Sequence, residues 1–416
     1  MVEKKVFTVL GAGVVGLCCA VSLQRKGHQV ALVDRLDPGM GTSFGNGGLI
    51  QIDAVVPIAM PGILRSVPSM LLDPKGPLVV RWRYLHKIAP WLLKFVRAAR
   101  PESVERISMA LASLLDRSNE AWIELVDAVN ARDVWRQSGE LHVYRRKEAW
   151  DAARPTHELR RRRGSQLVDL TVHEMRQLEP ALSPKLYGGV FTPNANSITY
   201  PLHLSQRLFE YFRRNGGRFI KENVRDIRIG EDGAVTNLIT EKGAYDVESL
   251  VVAAGAYSKS FTNSTGAKVP LDTERGYHLW LPDSGIEMRR PVVVGDHHFG
   301  IVPMTGGIRL GGTAEFAGLH LPPYWHRADI LADLAEDFVP GLNTAGAARW
   351  MGYRPSLPDS LPVLGKDPER RDLYWAFGHG HLGLTMAAIT GKIIAELASG
   401  SSPEVDLSPF RIGRFV

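Results

Sequence analysis

Apolar and polar positions along the chain switch between two periods, and the switches mark its elements. Residues 6–10 are a short, β-rich apolar run, 17–25 follow a helical apolar pattern, and a second apolar run over 29–33 ends in Asp34. Gly11-Ala12-Gly13-Val14-Val15-Gly16 joins the first run to the helix, and Gly27 closes the helix. This predicts a strand–helix–strand unit of about thirty residues. Further on, 102–131 places Ile107, Leu111, Leu114, Leu115, Trp122, Leu125 and Val129 near helical spacing, which predicts one long helix. Alternation over 140–144 opens a second, sheet-based region. A helix over 202–214 ends at Gly216-Gly217, strand-like runs cover 218–229 and 235–240, and an apolar strand over 246–254 runs into Ala254-Gly255. Residues 269–315 are strand-like and turn-rich, predicting a mainly antiparallel sheet; 331–339 read as a helix and 373–377 as a strand. The glycine turn 378–384 then leads into a helix over 385–398. Prolines 57, 61, 68, 74 and 77 punctuate the path into residue 78, and 352–362 reads as a proline-fixed loop presenting Arg354.

With 416 residues the chain has room for two domains, since single cores stop growing near ~250–300 residues. A composition 44% hydrophobic and 23% charged is that of a globular protein. The two cysteines, Cys18 and Cys19, are adjacent in the first helix, where they read as packing residues of a protein in a reducing cytosol. His297-His298 would face opposite sides of a strand, so no metal site is expected there. The first strand is expected from Val6, so no leader is expected before it, and no uncharged apolar stretch approaches the ~18–20 residues of a membrane span.

A net charge of +6 raises the question of nucleic acid, but most of the charge is scattered, and no nucleic-acid partner is expected. Arg160 to Arg163 reads as a solvated helix end. Residues 78–100 hold six Lys/Arg and no acid, with Trp82, Tyr84, Trp91 and Phe95 between them. Such a segment either lies on an anionic membrane surface or is a domain-packing helix pair with its basic residues in water.

The glycines carry the first chemistry. Gly11 makes a tight turn, Gly13 lets backbone amides approach a pyrophosphate, and Gly16 lets helix and strand pack closely. The helix N-terminus favours the anion, and Asp34, 18 residues after Gly16, is placed for ribose hydroxyls. The open loop 39–48, followed by Leu49, suits a large flat ligand, with Ser43 and Asn46 as hydrogen-bonding groups. Ala254 and Gly255 end a buried strand beneath that ligand. The second strand–glycine turn–helix junction, 373–398, directs a helix N-terminus at the pyrimidine edge of a flavin, where charge appears on reduction. Two such turns favour FAD over NAD.

The motifs GAGVVG, SFGNGGLI, RGYHL, GGTAEF, GYRPSLPDSLPVLG and GHGHLGLT, in this order, resemble the bacterial FAD-dependent D-amino acid dehydrogenases, within the wider D-amino acid oxidase and glycine oxidase superfamily. The resemblance spans nearly the whole chain. It implies an α/β fold: a discontinuous Rossmann-like FAD-binding domain (1–60, 190–260 and 350–416), and a second α+β substrate domain with a mainly antiparallel sheet (61–189 and 261–349). By matching position, Gly11, Gly13, Val14, Val15, Gly16, Asp34 and Arg35 would hold the adenosine diphosphate half of FAD. Thr42, Ser43, Asn46, Gly47, Gly48 and Leu49 would line ribityl and flavin, Val224 would meet adenine, and Ala254 and Gly255 would lie beneath. Gly380, His381, Leu382, Gly383, Leu384 and Thr385 would sit at the pyrimidine edge.

Arg354 resembles the superfamily's carboxylate-gripping arginine and Tyr277 a tyrosine of the same pocket; His379 and His381 are candidates for handling the amine proton. Several members carry Glu where this chain has Asp34. The implied activity is oxidation of a D-amino acid by hydride transfer to flavin, giving an imine that hydrolyses to a 2-oxo acid and ammonia. The alternatives are a secondary amine substrate (D-proline, a hydroxyproline isomer, sarcosine or an opine) and, from another class, a non-catalytic basic binding module. Electrons would pass to a quinone or another acceptor, and the enzyme would be cytoplasmic with possible peripheral contact to the inner membrane.

Overall fold

The structure, a computed structural model, describes residues 4–62 and 76–415. Pro68 and Pro74 lie outside the described residues.

Strand Val6–Leu10 pairs in parallel with Gln29–Asp34 on one side and Ser249–Val252 on the other. Arg218–Lys221 extends this sheet beyond Gln29–Asp34, and Leu373–Phe377 and then the antiparallel Val363–Lys366 extend it beyond Ser249–Val252. Its central strands are buried on both faces, so they read as continuous apolar runs. Alternation still sorts their side chains. Phe7, Val9, Leu32 and Val251 pack against helices Val14–Arg25, Pro201–Arg214 and Gly383–Ala398. Leu10, Val33, Leu250 and Val252 pack against the antiparallel sheet of Val224–Ile229, Val235–Thr240 and Ala244–Asp246. The run 218–229 therefore divides at Glu222-Asn223 into strands of two different sheets.

Helices Val14–Arg25 and Gly383–Ala398 touch through Gly391, where an added Cβ would lie 2.6 Å from the carbonyl oxygen of Cys18 and 2.9 Å from Ser22 Oγ. Cys18 and Cys19 are buried and free, and burial pushes the Cys19 thiol up to about 12.

The second sheet has nine strands among the described residues. Its path runs Ala348–Ser356, Asp272–Leu281, Gly307–Phe316, Phe299–Met304, Val292–Val294, Glu140–Tyr144, Gly188–Thr192 and Val168–Leu170, with Leu78–Val80 paired to Gly307–Phe316. Most of its pairs are antiparallel, as the turn-rich pattern over 269–315 predicts. One face packs on helix His326–Glu336 through Tyr277, Leu279, Leu281 and Leu310. Strands Gly188–Thr192 and Ala348–Ser356 belong to this sheet, although residues 190–192 and 350–356 stand with the nucleotide segments in the division drawn from sequence.

Other local expectations change as well, and Arg160, expected in a solvated helix end, is buried and paired with Asp53 and Thr192. The helix expected over 102–131 is two, Pro101–Leu115 and Ser118–Ala128, because the chain leaves the helical path at Asp116-Arg117 while the apolar spacing runs on. The helix expected over 331–339 occupies His326–Glu336. His297-His298 forms a turn between strands rather than a strand, with His298 at φ 55°. Arg354 is presented by a strand rather than by a loop, since an edge strand tolerates Pro355 without losing a needed ladder bond.

Candidate active site

A cavity of about 1660 Å³ runs from the first glycine turn to the large sheet. At its first end, Gly11, Gly13, Val14, Val15, Asp34, Arg35, Val224, Ala254 and Gly255 form the wall. Gly11 has φ 110°, and an added Cβ would lie 2.4 Å from the carbonyl oxygen of Ala253, so the turn needs glycine. Gly16 does not reach the cavity; it closes the helix onto Gly11, whose carbonyl oxygen would lie 1.8 Å from an added Cβ. The carboxylate of Asp34 accepts from the amides of Ala12 (2.7 Å) and Leu36 (2.9 Å), bridging the glycine turn and the end of its own strand. The guanidinium of Arg35 lies 4.1 Å from the ring centre of Tyr257.

The loop after Asp34 is held from three sides. Ser43 Oγ accepts from the amide of Val14 at the start of the first helix (2.9 Å). Thr42 Oγ1 donates to the carbonyl of Tyr353 (3.1 Å) and accepts from its amide (3.2 Å). His278 Nδ1 lies 3.1 Å from the carbonyl oxygen of Gly45, and Arg309 donates to that of Asn46. Burial lowers the His278 pKa to about 3, so the ring is neutral and its Nδ1–H is the donor; the ring also stacks on Trp350 at 4.9 Å. Asn46 Oδ1 accepts from the amide of Gly48 (2.8 Å). Thr42, Ser43, Asn46, Gly47 and Leu49 line the cavity, whereas Gly48, at φ 72°, turns towards the carbonyl of Ile198.

The second glycine turn supplies His379, Gly380, His381, Gly383 and Leu384 to the same cavity. Leu382 is buried in the core and does not line it. Thr385 ties helix to loop: its hydroxyl donates to the carbonyl of Leu49 (3.2 Å) and accepts from the amide of Gln51 (3.2 Å). The Trp122 indole donates to the carbonyls of Leu384 (2.9 Å) and Thr385 (3.1 Å), fixing the helix start. His379 is buried with Nε2 3.0 Å from Thr390 Oγ1, and burial lowers its pKa to about 3. His381 exposes its ring to the cavity. Its dense surroundings lower its pKa, while the Glu274 carboxylate acts upward and Arg354 downward.

At the sheet end, Arg354 lies on the edge strand opposite Glu274. Its Nη1 donates to Glu274 Oε1 (3.3 Å) and the Thr313 carbonyl (3.1 Å), and its Nη2 to the Gly312 carbonyl (3.4 Å). Thr313 is a β-branched residue at φ 53°, an uncommon conformation, and its carbonyl is one of these acceptors. Gly276 makes room: an added Cβ would lie 2.3 Å from Arg354 Nη2. Glu274 Oε2 accepts from Ser356 Oγ (3.4 Å). Tyr277 also lines the cavity. Its side chain is buried in the core shared with helix His326–Glu336, and its hydroxyl donates to Glu315 and accepts from the amide of Tyr324 (3.0 Å). Arg275, fully buried, donates to the carbonyls of Gly318 (2.8 Å) and Leu321 (2.6 Å), holding the loop whose Leu319, His320 and Leu321 line the cavity. Glu274 and Arg309 lie outside the motifs, while His278 and Thr313 lie within RGYHL and GGTAEF without a role assigned to them there. The available signal is alternation, which puts Glu274, Gly276 and His278 on one side of their strand.

The basic segment folds as strand Leu78–Val80, a short turn Trp82–Tyr84 and helix Leu85–Ala98. Trp91 stacks on Phe95 and packs on Phe316, while Trp82 is 78% exposed and Leu85 and Leu93 are also exposed. Leu85, Leu92 and Phe95 also line the cavity.

The residues present fit FAD. An added Cβ at Gly47, Gly255 or Gly380, all on the cavity wall, would meet nothing within 4 Å, so the missing side chains leave open room for a flat ligand. A model of the family described as FAD dependent oxidoreductase matches residues 7–397. The chain belongs to that family. It is 36% identical to a D-amino-acid oxidase of Bradyrhizobium diazoefficiens, with all of both chains covered. It is 29% identical to a D-amino acid dehydrogenase of Rhizobium rhizogenes, over 98% of this chain and 99% of that one. Its fold is similar to that of glycine oxidase from Geobacillus kaustophilus, with TM-score 0.76 at 21% identity over 99% of this chain and 100% of the other. It is also similar to L-proline dehydrogenase from P. horikoshii, with TM-score 0.75 at 18% identity over 100% and 98%.

Proposed function

We propose that this oxidoreductase acts on the CH–NH group of a D-amino acid, yielding an imine that hydrolyses to a 2-oxo acid and ammonia. The observation that carries this reading is Arg354. It is a partly exposed guanidinium on the cavity wall, held by two backbone carbonyls and one carboxylate and still owning N–H groups beyond those bonds. A planar fork suits a substrate carboxylate in a way a lysine does not. Binding the carboxylate at this point fixes the α-carbon against the cavity rather than in bulk water, and such positioning is where most of the rate advantage of a simple transfer arises.

The first glycine turn with Asp34 would hold the dinucleotide, and loop 42–49 with the Gly380–Leu384 turn would hold the flavin. FAD, when bound, supplies the two-electron acceptor for the hydride leaving the α-carbon. His381 faces the cavity beside Glu274 and Arg354, where its ring is placed to exchange a proton with the substrate side. His379, committed to Thr390, supports the turn.

The test is anaerobic mixing of the yellow holoenzyme with D-amino acids, their L-enantiomers, D-proline, a hydroxyproline isomer, sarcosine and an opine. Bleaching by primary D-amino acids is the expected result. Bleaching by secondary amines alone replaces the substrate class, and persistence of colour across the panel ends the reading.

We further propose that electrons leave to a quinone or similar acceptor, and that segment 78–100 lies on an anionic membrane surface. What supports this is the exposure of Trp82, Leu85 and Leu93 among six basic residues, beside side chains that line the cavity. Among the described residues no helix is long and apolar enough to cross a membrane. Co-sedimentation with anionic but not neutral vesicles, lost in Trp82→Ser/Leu85→Ser, is the expected result.

A further inference from the structure

The cavity presents Arg354, the candidate carboxylate clamp, already paired with an acid, and that pairing needs a reason. Arg354 is satisfied on two sides by the carbonyls of Gly312 and Thr313, so Glu274 is not required to give its guanidinium a hydrogen-bonded seat. A lone guanidinium attracts any monoanion; a carboxylate beside it cancels the attraction and repels a simple carboxylate. The pair suits a ligand that carries both charges.

Glu274 is also not spent in its own contacts. Its two bonds are long, 3.3 Å from Arg354 Nη1 and 3.4 Å from Ser356 Oγ, and a carboxylate has about four lone-pair sites. Its side chain retains 14% exposure and lines the cavity. The register sets it directly across from Arg354 on the neighbouring strand, and the missing side chain of Gly276 lets the guanidinium lie over the same strand. A positive and a negative group are thus fixed side by side on one wall. An α-amino acid carries its carboxylate and ammonium on one carbon and matches that arrangement.

We infer that Glu274 receives the α-ammonium of the substrate, so that the Glu274–Arg354 pair selects zwitterions over plain carboxylates. This rests on the substrate reading above and names the residue that distinguishes an amino acid from other small acids at that site.

The test is equilibrium binding to the holoenzyme, read by flavin absorbance and by calorimetry, of two ligands that cannot be oxidised. One is 2-methylalanine, which has no α-hydrogen; the other is pivalate, its isostere with a methyl in place of the ammonium. Wild-type protein is expected to bind 2-methylalanine at least tenfold more tightly. Glu274→Gln is expected to weaken 2-methylalanine at least tenfold and to tighten pivalate, while Glu274→Asp, which keeps the charge, retains the preference for 2-methylalanine. Equal loss of both ligands in Glu274→Gln would make Glu274 a prop for Arg354 and overturn the inference. A wild-type enzyme without the preference, including one that binds neither ligand, also overturns it. Arg354→Leu separates the two claims: loss of both ligands there supports the carboxylate site whatever Glu274 does, and no loss removes the substrate reading itself.

Discussion

Thr42 and Tyr353 exchange two hydrogen bonds, Oγ1 to carbonyl at 3.1 Å and amide to Oγ1 at 3.2 Å, although 311 residues separate them. One hydroxyl thereby joins the loop of the nucleotide end to the strand that carries Arg354 on its next residue. Thr42→Val keeps the shape and removes both bonds, a loss of about 0.5–1.5 kcal/mol each, since water can reach the groups left behind. The expected outcome is a KM raised about three- to tenfold with FAD still bound, checked by steady-state kinetics and by the flavin content of the purified variant.

Gly276→Ala tests the clamp without replacing a charged group. The new methyl would stand 2.3 Å from Arg354 Nη2, the far end of a flexible side chain, so the guanidinium shifts while the sheet survives. Loss of a charge-assisted contact of about 1.5–3 kcal/mol lowers kcat/KM by roughly 10- to 100-fold. Circular dichroism and flavin absorbance are expected to match the wild type.

Asp34→Ala removes the acceptor shared by the amides of Ala12 and Leu36. Hydrogen bonds to a charged acceptor contribute about 1.5–3 kcal/mol, so the FAD dissociation constant is expected to rise roughly 10- to 100-fold. Fluorescence of released flavin during dilution measures it.

Three buried histidines make the fold sensitive to mild acid. His379 and His278 have pKa values lowered to about 3 and His157 to about 4, each chiefly by burial. Their unfolded value is near ~6.5, so between that pH and their folded values the unfolded chain binds more protons and stability falls as pH falls. Above pH ~6.5 these residues contribute no slope. For His379, moving from pH 7 to 5 removes about 2 kcal/mol. Urea unfolding midpoints at the two pH values are expected to diverge less in His379→Gln, whose amide can still meet Thr390.

Much of the cofactor end was legible because its glycines do backbone work that no other residue can do: Gly11 is at positive φ and Gly16 touches the turn. The resemblance also located Arg354, though as part of a loop, since Pro355 reads as a strand breaker unless its strand is known to be an edge. The substrate wall was less legible. In the strand Asp272–Leu281 both faces are largely buried, so alternation cannot say which face meets the cavity. Tyr277 and Glu274 both line the cavity, but only Tyr277 lies in a motif, and its hydroxyl is engaged by Glu315. The helix break at Asp116-Arg117 was hidden for another reason: apolar spacing continues across a reorientation when both helices pack on the same core.

The contact at Gly391 makes the two nucleotide-facing helices behave as a caliper. Their backbones meet at Cys18 and Gly391, with Ser22 Oγ beside the contact, so the gap between their two N-terminal tips is set largely by main-chain geometry. Widening the hinge by a single methyl, in Gly391→Ala, would therefore be felt at both tips at once.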